Sequence, residues 1–183
     1  DLGINLWVWG APITDDVVAE RVPQAAELGY DVVEFPLEEP GGFDYGHAND
    51  GLADHGLDAS VVVAMTEERD LLAEDPAVRA NGREYVRDSV DAAAAIGADR
   101  VVGPLYSAVG RTWRMEEDER AAAMDDVVDQ LSELAPYAGE RGVSLCVEPL
   151  NRFETSVLNT AEQTIGVVDR VDHPACEILL DTF

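Results

Sequence analysis

The sequence contains no lysine, so its twelve basic residues are all arginine, and 38 aspartate and glutamate residues stand against them. The formal net charge at pH 7 is therefore −26. A chain this acidic repels the phosphates of nucleic acids and the headgroups of anionic membranes, which excludes both as predicted partners. Dense Asp and Glu is typical of proteins adapted to high salt, because ions screen the self-repulsion of the surface. We predict a cytoplasmic protein from a salt-loving organism.

Cysteine is scarce as well, and the two copies, Cys146 and Cys176, are too few for a disulfide framework. Strand alternation places their side chains on opposite faces, so we predict that they do not meet. No apolar run approaches the roughly 20 residues that a membrane helix needs, and we expect no signal peptide. No glycine-rich phosphate-binding pattern follows the first predicted strand, which argues against a dinucleotide-binding protein. The 46% hydrophobic content argues against an acidic disordered chain.

Short apolar stretches alternate with longer amphipathic stretches along the chain. A helix is predicted after each of the first five apolar stretches, and this strict alternation is typical of parallel βα units. The predicted strands are residues 3–9, 31–35, 59–64, 100–105, 144–148 and 177–181. The predicted helices end near Gly29, Gly56, Gly97, Ala138 and Pro174.

Such βα units fit either a doubly wound sheet or an incomplete barrel. Polar side chains that follow several strands favour the barrel, because a (β/α)8 barrel gathers its strand ends on one rim. These side chains are Glu34, Tyr106, Glu148 and Asp181. We therefore predict an α/β protein with a TIM-barrel fold, in which residues 1–183 form a single domain that covers about the first six βα units and is truncated at the C-terminal end.

The stretch 144–154 carries the densest group of polar side chains beside a predicted buried strand. Glu148 stands at the end of that strand, which Pro149 terminates because proline cannot donate to a sheet ladder. Arg152 and Glu154 follow in the next loop. Barrel enzymes place their chemistry at such strand ends, so we predict an active site here.

Glu148 and Asp181 end consecutive predicted strands, and neighbouring strands would bring them about 4.8 Å apart. Two carboxylates at that separation repel each other unless a proton or a metal ion lies between them. Oxygen ligands suit Mg²⁺ or Mn²⁺, and an added imidazole would favour Mn²⁺ or Co²⁺. A cap on a following helix would account for Asp181 equally well. Glu34 is either a neighbour of this site or, as we favour, a core carboxylate held by hydrogen bonds.

Three motifs carry a resemblance to a known family. They are Glu-Pro-Leu-Asn-Arg-Phe-Glu (148–154), Leu-Asp-Thr-Phe (180–183) and Gly-Pro-Leu-Tyr-Ser (103–107). They resemble the D-tagatose 3-epimerase group of ketose 3-epimerases, in the xylose-isomerase-like sugar isomerase and epimerase superfamily. The similarity runs through essentially the whole chain. It implies a metal-dependent TIM barrel that epimerises a free ketose at C3.

The resemblance also implies a role for each matching residue. Glu148 matches the glutamate that both binds the metal and exchanges the C3 proton, and Asp181 matches a second metal ligand. Glu154 matches a carboxylate that hydrogen-bonds the sugar near C1 and C2, and Tyr106 and Arg152 are further predicted substrate contacts. The expected cofactor is Mn²⁺, with Mg²⁺ or Co²⁺ as alternatives. Such a metal stabilises an enediolate while one carboxylate removes the proton and a second glutamate returns it.

The chain also departs from the family pattern. The remaining histidine and glutamate ligands of the family lie on strands after the sixth, so we expect these 183 residues alone to be inactive. Asn5, Ala108 and Val109 stand where the family often has aromatic residues, which predicts a different sugar pocket. Trp7, Trp9 and Trp113 could stack on a sugar, although a buried core position is commoner for tryptophan.

Several alternatives stay open at this point. Another superfamily activity, such as an inosose dehydratase, a hydroxypyruvate isomerase or an endonuclease-IV-like phosphodiesterase, would share the fold. The net charge of −26 disfavours the DNA enzyme. A non-catalytic sugar-binding relative and a partial barrel completed by a partner chain are the alternatives outside catalysis. A homo-oligomer is left open.

Overall fold

The computed structural model describes residues 1–182, which form one parallel sheet of six strands. The strands are β1 (Gly3–Asn5), β2 (Val32–Pro36), β3 (Asp58–Val62), β4 (Arg100–Gly103), β5 (Ser144–Val147) and β6 (Cys176–Ile178). The α-helices that connect them are α1 (Asp15–Glu27), α2 (Tyr45–His55), α3 (Pro76–Ile96), α4 (Glu117–Gly139) and α5 (Ala161–Val171). Short 3-10 turns follow β1 at Leu6–Val8 and β3 at Glu67–Arg69.

Strand order distinguishes the two architectures that the sequence leaves open. The strands lie in the order β1-β2-β3-β4-β5-β6, and each is parallel to the next. A doubly wound sheet reverses its order at a switch point, whereas a βα barrel adds each strand beside the preceding one. The predicted TIM-barrel arrangement is therefore confirmed. Among residues 1–182, β1 and β6 each pair with one strand only.

Helix starts follow the local sequence signals. Thr14 and Asp75 accept backbone N–H groups at the starts of α1 and α3, and Thr160 and Gln163 form a capping box at α5. These side chains satisfy donors that the first helical turn leaves unpaired. Local chemistry therefore fixes where each of these helices begins, and so the length of the loop before it.

The sheet has one apolar face and one face on which polar and apolar side chains are mixed. Side chains on the apolar face pack against the helices; they include Val33, Phe35, Val101, Leu145 and Val147, which are fully buried. The opposite face borders a cavity of about 560 Å³. Its lining includes Glu34, Asp58, Ser60, Arg100 and Leu179. Polar side chains can occupy this face because the cavity leaves them room for solvent or ligand.

Several strands end earlier than the sequence predicts. The extension of the first strand to residue 9 is wrong, because the Asn5 side chain accepts the Trp7 N–H at 2.8 Å and starts the 3-10 turn. The third and fourth strands end at Val62 and Gly103. The extension of the sixth strand to Asp181 is also wrong: β6 stops at residue 178, since its partner β5 stops at residue 147.

Both cysteines are buried free thiols. Leu145, which precedes Cys146, pairs in register with Cys176. Cys146 and Cys176 therefore leave opposite faces of the sheet, as the alternation predicts.

Within residues 1–182, no helix combines the length and the apolar content that a membrane span requires.

Arginines on α3 pair with acidic side chains on α4. Arg79 reaches both carboxylate oxygens of Asp126 at 2.6 Å, and Arg87 lies 2.5 Å from Glu133. These side chains are partly exposed, so each pair contributes at most about 1 kcal/mol. With 38 acidic and twelve basic residues, most acidic side chains have no arginine to pair with one to one.

We predict that molar KCl raises the thermal midpoint of the protein. Salt shortens the Debye length from about 10 Å at 0.1 M to about 3 Å at 1 M, so it screens the repulsion among exposed acids. Thermal melts at low and at molar KCl measure the effect. A midpoint that stays constant or falls as KCl rises would contradict the predicted adaptation to salt.

Candidate active site

Glu148 directly follows β5, and hydrogen bonds hold its main chain on both sides. Its N–H donates to the carbonyl of Gly103 at 3.0 Å, and its own carbonyl accepts from the Tyr106 hydroxyl at 3.1 Å. Gly103 has a φ of +127°, and a Cβ there would lie 2.2 Å from the Val63 carbonyl oxygen. Only glycine fits this approach of β4 to the chain after β3. The backbone that carries the Glu148 carboxylate is thus closely held.

Negative charge gathers around the Glu148 carboxyl group. Burial, and then the charges of Asp181, Glu34 and Glu154, raise its pKa to about 7. These residues come from β2, from the loop after β5 and from the segment after β6. The structure therefore brings together acidic groups that are far apart in the sequence. A carboxyl group that titrates near neutral pH is suited to take up and release a proton.

Glu34 is held by hydrogen bonds to both of its carboxylate oxygens. The side-chain amide of Asn5 donates to one oxygen at 2.8 Å, and the Ser60 hydroxyl donates to the other at 2.9 Å. The three residues pair in register across β1, β2 and β3. Glu34 is therefore held by hydrogen bonds as predicted, but it is half-buried and lines the cavity, so it is not a core carboxylate. It is a neighbour of the site, close enough to Glu148 to raise its pKa.

Glu154 lies in a tight turn of the loop after β5. The Asn151 side-chain amide donates to a carboxylate oxygen of Glu154, and the Glu154 N–H donates to the Asn151 carbonyl at 3.0 Å. From the loop after β4, the Gly110 N–H donates to the Glu154 carbonyl at 2.8 Å. The position of Glu154 therefore depends on two loops.

The two other predicted substrate residues lie in different surroundings. Tyr106 is fully buried, and its hydroxyl donates to the Glu148 carbonyl with the Leu158 carbonyl oxygen 3.4 Å away. Burial also raises the pKa of Tyr106. In the structure Tyr106 supports the Glu148 backbone, and its direct contact with a sugar stays a prediction. Arg152 is exposed, and its guanidinium lies 4.9 Å from the ring of Phe153.

Tyr106→Phe is expected to lower the free energy of unfolding by about 1 kcal/mol, because it removes a buried hydrogen bond and leaves the ring in place. Urea unfolding measures the loss. The matched control is Tyr137→Phe, which removes an exposed hydrogen bond to Asp91 and should cost less. Equal losses in the free energy of unfolding would show that the buried hydrogen bond to the Glu148 carbonyl stabilises the fold no more than the exposed one.

The donor set for a metal ion is incomplete within residues 1–182. No three or more His, Cys, Asp or Glu residues there are arranged to hold a metal ion. The predicted ligands Glu148 and Asp181 supply hard carboxylate oxygens, which suit Mn²⁺ or Mg²⁺. The negative charge gathered around Glu148 also favours a cation. These residues fit one part of a divalent-metal site. Phe183, the last residue of the predicted motif 180–183, lies outside the described residues.

Sequence reasoning missed several partners of the site. Asn5 and Ser60 hold Glu34, and all three stand on predicted strands, but the register that aligns them is visible only in the structure. Asp70 and Arg111 form an ion pair between the loops after β3 and β4, with side chains 9% and 16% exposed. No local pattern predicts that pair, because 41 residues separate the two.

Fold and site together define a class of protein. A sheet of parallel strands in sequential order, with acidic groups gathered toward the carboxyl ends of its strands, is the arrangement of TIM-barrel enzymes. Residues 22–183 match the family described as xylose isomerase-like TIM barrel, and the chain belongs to this family. The family that the sequence motifs predict is confirmed.

Relatives with similar sequences carry the names of sugar 3-epimerases. The ketose 3-epimerase of Arthrobacter globiformis is 34% identical over 182 residues, which cover 100% of this chain and 62% of that protein. The L-ribulose 3-epimerase of Methylomonas sp. (strain DH-1) is 28% identical over 183 residues, or 100% of this chain and 63% of that protein. The chain thus spans under two thirds of the length of these relatives.

Solved structures of epimerases superpose closely on the chain. The D-allulose 3-epimerase from Methylomonas sp., in complex with D-allulose, matches with a TM-score of 0.90 and 28% identity over 100% of this chain and 62% of that one. An L-ribulose 3-epimerase matches with a TM-score of 0.91 and 26% identity, over 99% of this chain and 60% of that one. This chain therefore covers under two thirds of each of these structures, which is consistent with a partial barrel.

Proposed function

We propose that the protein is a metal-dependent ketose 3-epimerase, which inverts a ketose at C3 by removing and returning a proton. The observation that carries the proposal is the placement of the Glu148 carboxyl group directly after β5, on a backbone held by Gly103 and Tyr106. Asp181, Glu34 and Glu154 lie close enough that, together with burial, their charges raise the pKa of Glu148 to about 7 in the metal-free protein. The 34% identity to the ketose 3-epimerase of Arthrobacter globiformis supports this reaction.

In the proposed reaction, Glu148 acts as the base that removes the C3 proton, and a second acid on the opposite face of the sugar returns it. Glu154 accepts hydrogen bonds from the hydroxyl groups near C1 and C2. Arg152, in the exposed loop after β5, makes a further contact with the sugar. A divalent ion held by Glu148 and Asp181, with Mn²⁺ preferred, would stabilise the negative charge that develops on the sugar oxygens. Glu34 keeps a fixed position through Asn5 and Ser60.

Deuterium exchange tests the proposal directly. The full-length protein is incubated with Mn²⁺ in deuterated buffer together with fructose, tagatose, ribulose or xylulose, and the sugars are followed by NMR. We expect deuterium at C3 of at least one ketose, because the removed proton exchanges with solvent. Exchange at C1 alone would indicate an aldose–ketose isomerase, and no exchange with any of the four would contradict the epimerase proposal.

Glu154→Gln is expected to lower the rate of turnover while leaving the metal content unchanged. Glutamine can still donate and accept hydrogen bonds, but it lacks the charge that strengthens a bond from a sugar hydroxyl, by a factor of roughly two in energy. Exchange rates and elemental analysis of the purified variant measure the two effects separately. Loss of bound metal in Glu154→Gln would assign Glu154 to the metal and not to the sugar.

A further inference from the structure

Arg111 lies in the loop between β4 and α4 and joins it to the loop between β3 and α3. Its Nη1 is 3.3 Å from a carboxylate oxygen of Asp70 and 3.5 Å from the carbonyl oxygen of Leu72. The Asp70 and Arg111 side chains are only 9% and 16% exposed. Removing two charges from water is costly, so a buried pair is poor evidence of added stability and calls for another explanation.

The backbone of the same residue joins a third loop, the one that carries Glu154. Arg111 forms an isolated parallel bridge with Thr155, and its carbonyl accepts the Ser156 N–H at 2.7 Å. The preceding residue, Gly110, donates its N–H to the Glu154 carbonyl at 2.8 Å. The backbone of residues 110–111 therefore sets the position of the Glu154 main chain.

The guanidinium of Arg111 also contacts an exposed aromatic ring. Its central carbon lies 4.4 Å from the ring centroid of Trp113, a distance typical of a cation–π contact. The Trp113 side chain is 56% exposed, and its carbonyl accepts the Ser156 hydroxyl at 2.6 Å. The core position that is commoner for tryptophan is therefore not the one observed. Arg111 fixes one face of the indole, and much of the remaining ring is open to solvent.

One donor of this buried cation has no protein partner. The Nε of Arg111 is buried and makes no hydrogen bond within residues 1–182. A cavity of about 170 Å³ borders Asp70, Arg111 and Trp113. Because the cavity adjoins this N–H, it can donate to water or to a bound molecule there. The arrangement fits a group that is held in place for a bound molecule.

We propose that Arg111 is a positioning residue for the ketose site: pinned between Asp70 and Trp113, it holds the Glu154 main chain and the Trp113 ring where the sugar meets them. This inference rests on the proposed epimerase function. Three loops at the carboxyl edge of β3, β4 and β5 then move as one unit. Arg111 acts through Glu154 and Trp113 and does not itself exchange the proton.

Arg111→Lys tests this in the full-length protein. Lysine keeps a positive charge opposite Asp70 but lacks the planar fork that stacks on an indole. We expect kcat/KM for the ketose to fall on the order of tenfold to a hundredfold, because small displacements of substrate-positioning groups have effects of that size. Most of the change should appear in KM, while the midpoint of thermal unfolding stays near that of the wild type.

Hydrogen exchange gives a readout that does not depend on activity. The amides of Gly110 and Ser156 should exchange at least about tenfold faster in Arg111→Lys, because the loops they join are no longer held together. The matched control is Arg170→Lys, at the exposed α5–α4 pair with Asp125, where both readouts should stay unchanged. Trp113→Phe should raise KM and leave the Gly110 amide protected.

The outcomes distinguish failure of the positioning role of Arg111 from failure of the proposed epimerase function. Unchanged amide exchange together with unchanged kcat/KM in Arg111→Lys overturns the positioning role. A fall in kcat/KM that only follows a fall in thermal midpoint, in both lysine variants, shows a merely structural pair and also overturns it. If the wild-type protein exchanges no ketose proton, the epimerase proposal fails, and the amide data still decide whether Arg111 holds the three loops.

Discussion

Glu148→Gln is expected to lower the rate of deuterium incorporation at C3 by a factor of between about 10² and 10⁴, the usual contribution of a general base. Glutamine has nearly the same size but cannot accept a proton at neutral pH. The hydrogen bonds that hold this position come from Gly103 and Tyr106 and involve the main chain, so the substitution leaves them in place. The fold should therefore survive while the chemistry is lost.

The matched control is Glu140→Gln, which makes the same chemical change at an exposed position directly after α4. It should leave the exchange rate unchanged. If Glu148→Gln keeps the wild-type rate, or if both variants lose activity equally, Glu148 is not the base. The NMR assay that tests the function measures both variants.

The same substitution has a second readout in the metal-free protein. Burial and neighbouring carboxylates raise the pKa of Glu148 to about 7, above its ordinary value of 4.5. A raised pKa means that the neutral form is favoured by folding, so its contribution to stability is complete below about pH 4.5 and is lost as the pH rises through about 7. Glu148→Gln should remove this fall in stability. Urea unfolding at a series of pH values between about 4 and 8 measures it.

The architecture could be predicted from the sequence because the information is local. Alternating apolar and amphipathic stretches specify parallel βα units, and caps such as Thr14, Asp75 and Thr160 set the helix starts. The rule that parallel strands end on one edge then places Glu34 and Glu148 on the same side. These inferences need no knowledge of which side chains touch.

The surroundings of the site could not be predicted in the same way. The strand alternation gives no sign that Asn5 would cap a 3-10 turn and end β1, because strand propensity and capping compete for the same residue. The position of Tyr106 after a strand predicts a residue on the rim of the barrel, but its side chain is buried and its hydroxyl donates to the Glu148 carbonyl. The pairing of Asp70 with Arg111 depends on the geometry of two loops, which the sequence pattern leaves undefined.

Residues 1–183 by themselves are expected to bind Mn²⁺ weakly and to exchange no C3 proton. The first reason is the sheet, whose β1 and β6 each have a single partner strand within residues 1–182. Unpaired edges leave backbone groups open and the strand positions less constrained, whereas a closed barrel fixes them. A groove of about 390 Å³ beside β6 is lined in part by Ile165, Val168 and Ile178, and the Ile165 side chain is 44% exposed.

The second reason is the donor set. Glu148 and Asp181 supply two carboxylates, whereas an ion of the Mn²⁺ type takes about six ligands, so water would have to fill most of the coordination sphere. Asp181 also lies on the exposed segment beyond β6. An ion held in this way exchanges readily, and it cannot stabilise developing charge with the fixed geometry that catalysis requires.

Calorimetric titration with Mn²⁺ and the deuterium assay test both reasons on the same sample. A form of the protein with further strands paired to β1 and β6 is the comparison: it should bind Mn²⁺ more tightly and label the ketose at C3. The Glu148→Gln variant of that longer form should no longer incorporate deuterium at C3. That loss would show that the labelling reaction takes place at the site of Glu148. Deuterium at C3 produced by residues 1–183 alone would refute the claim that closure of the barrel is needed, and it would make the carboxylates around Glu148 sufficient for the reaction.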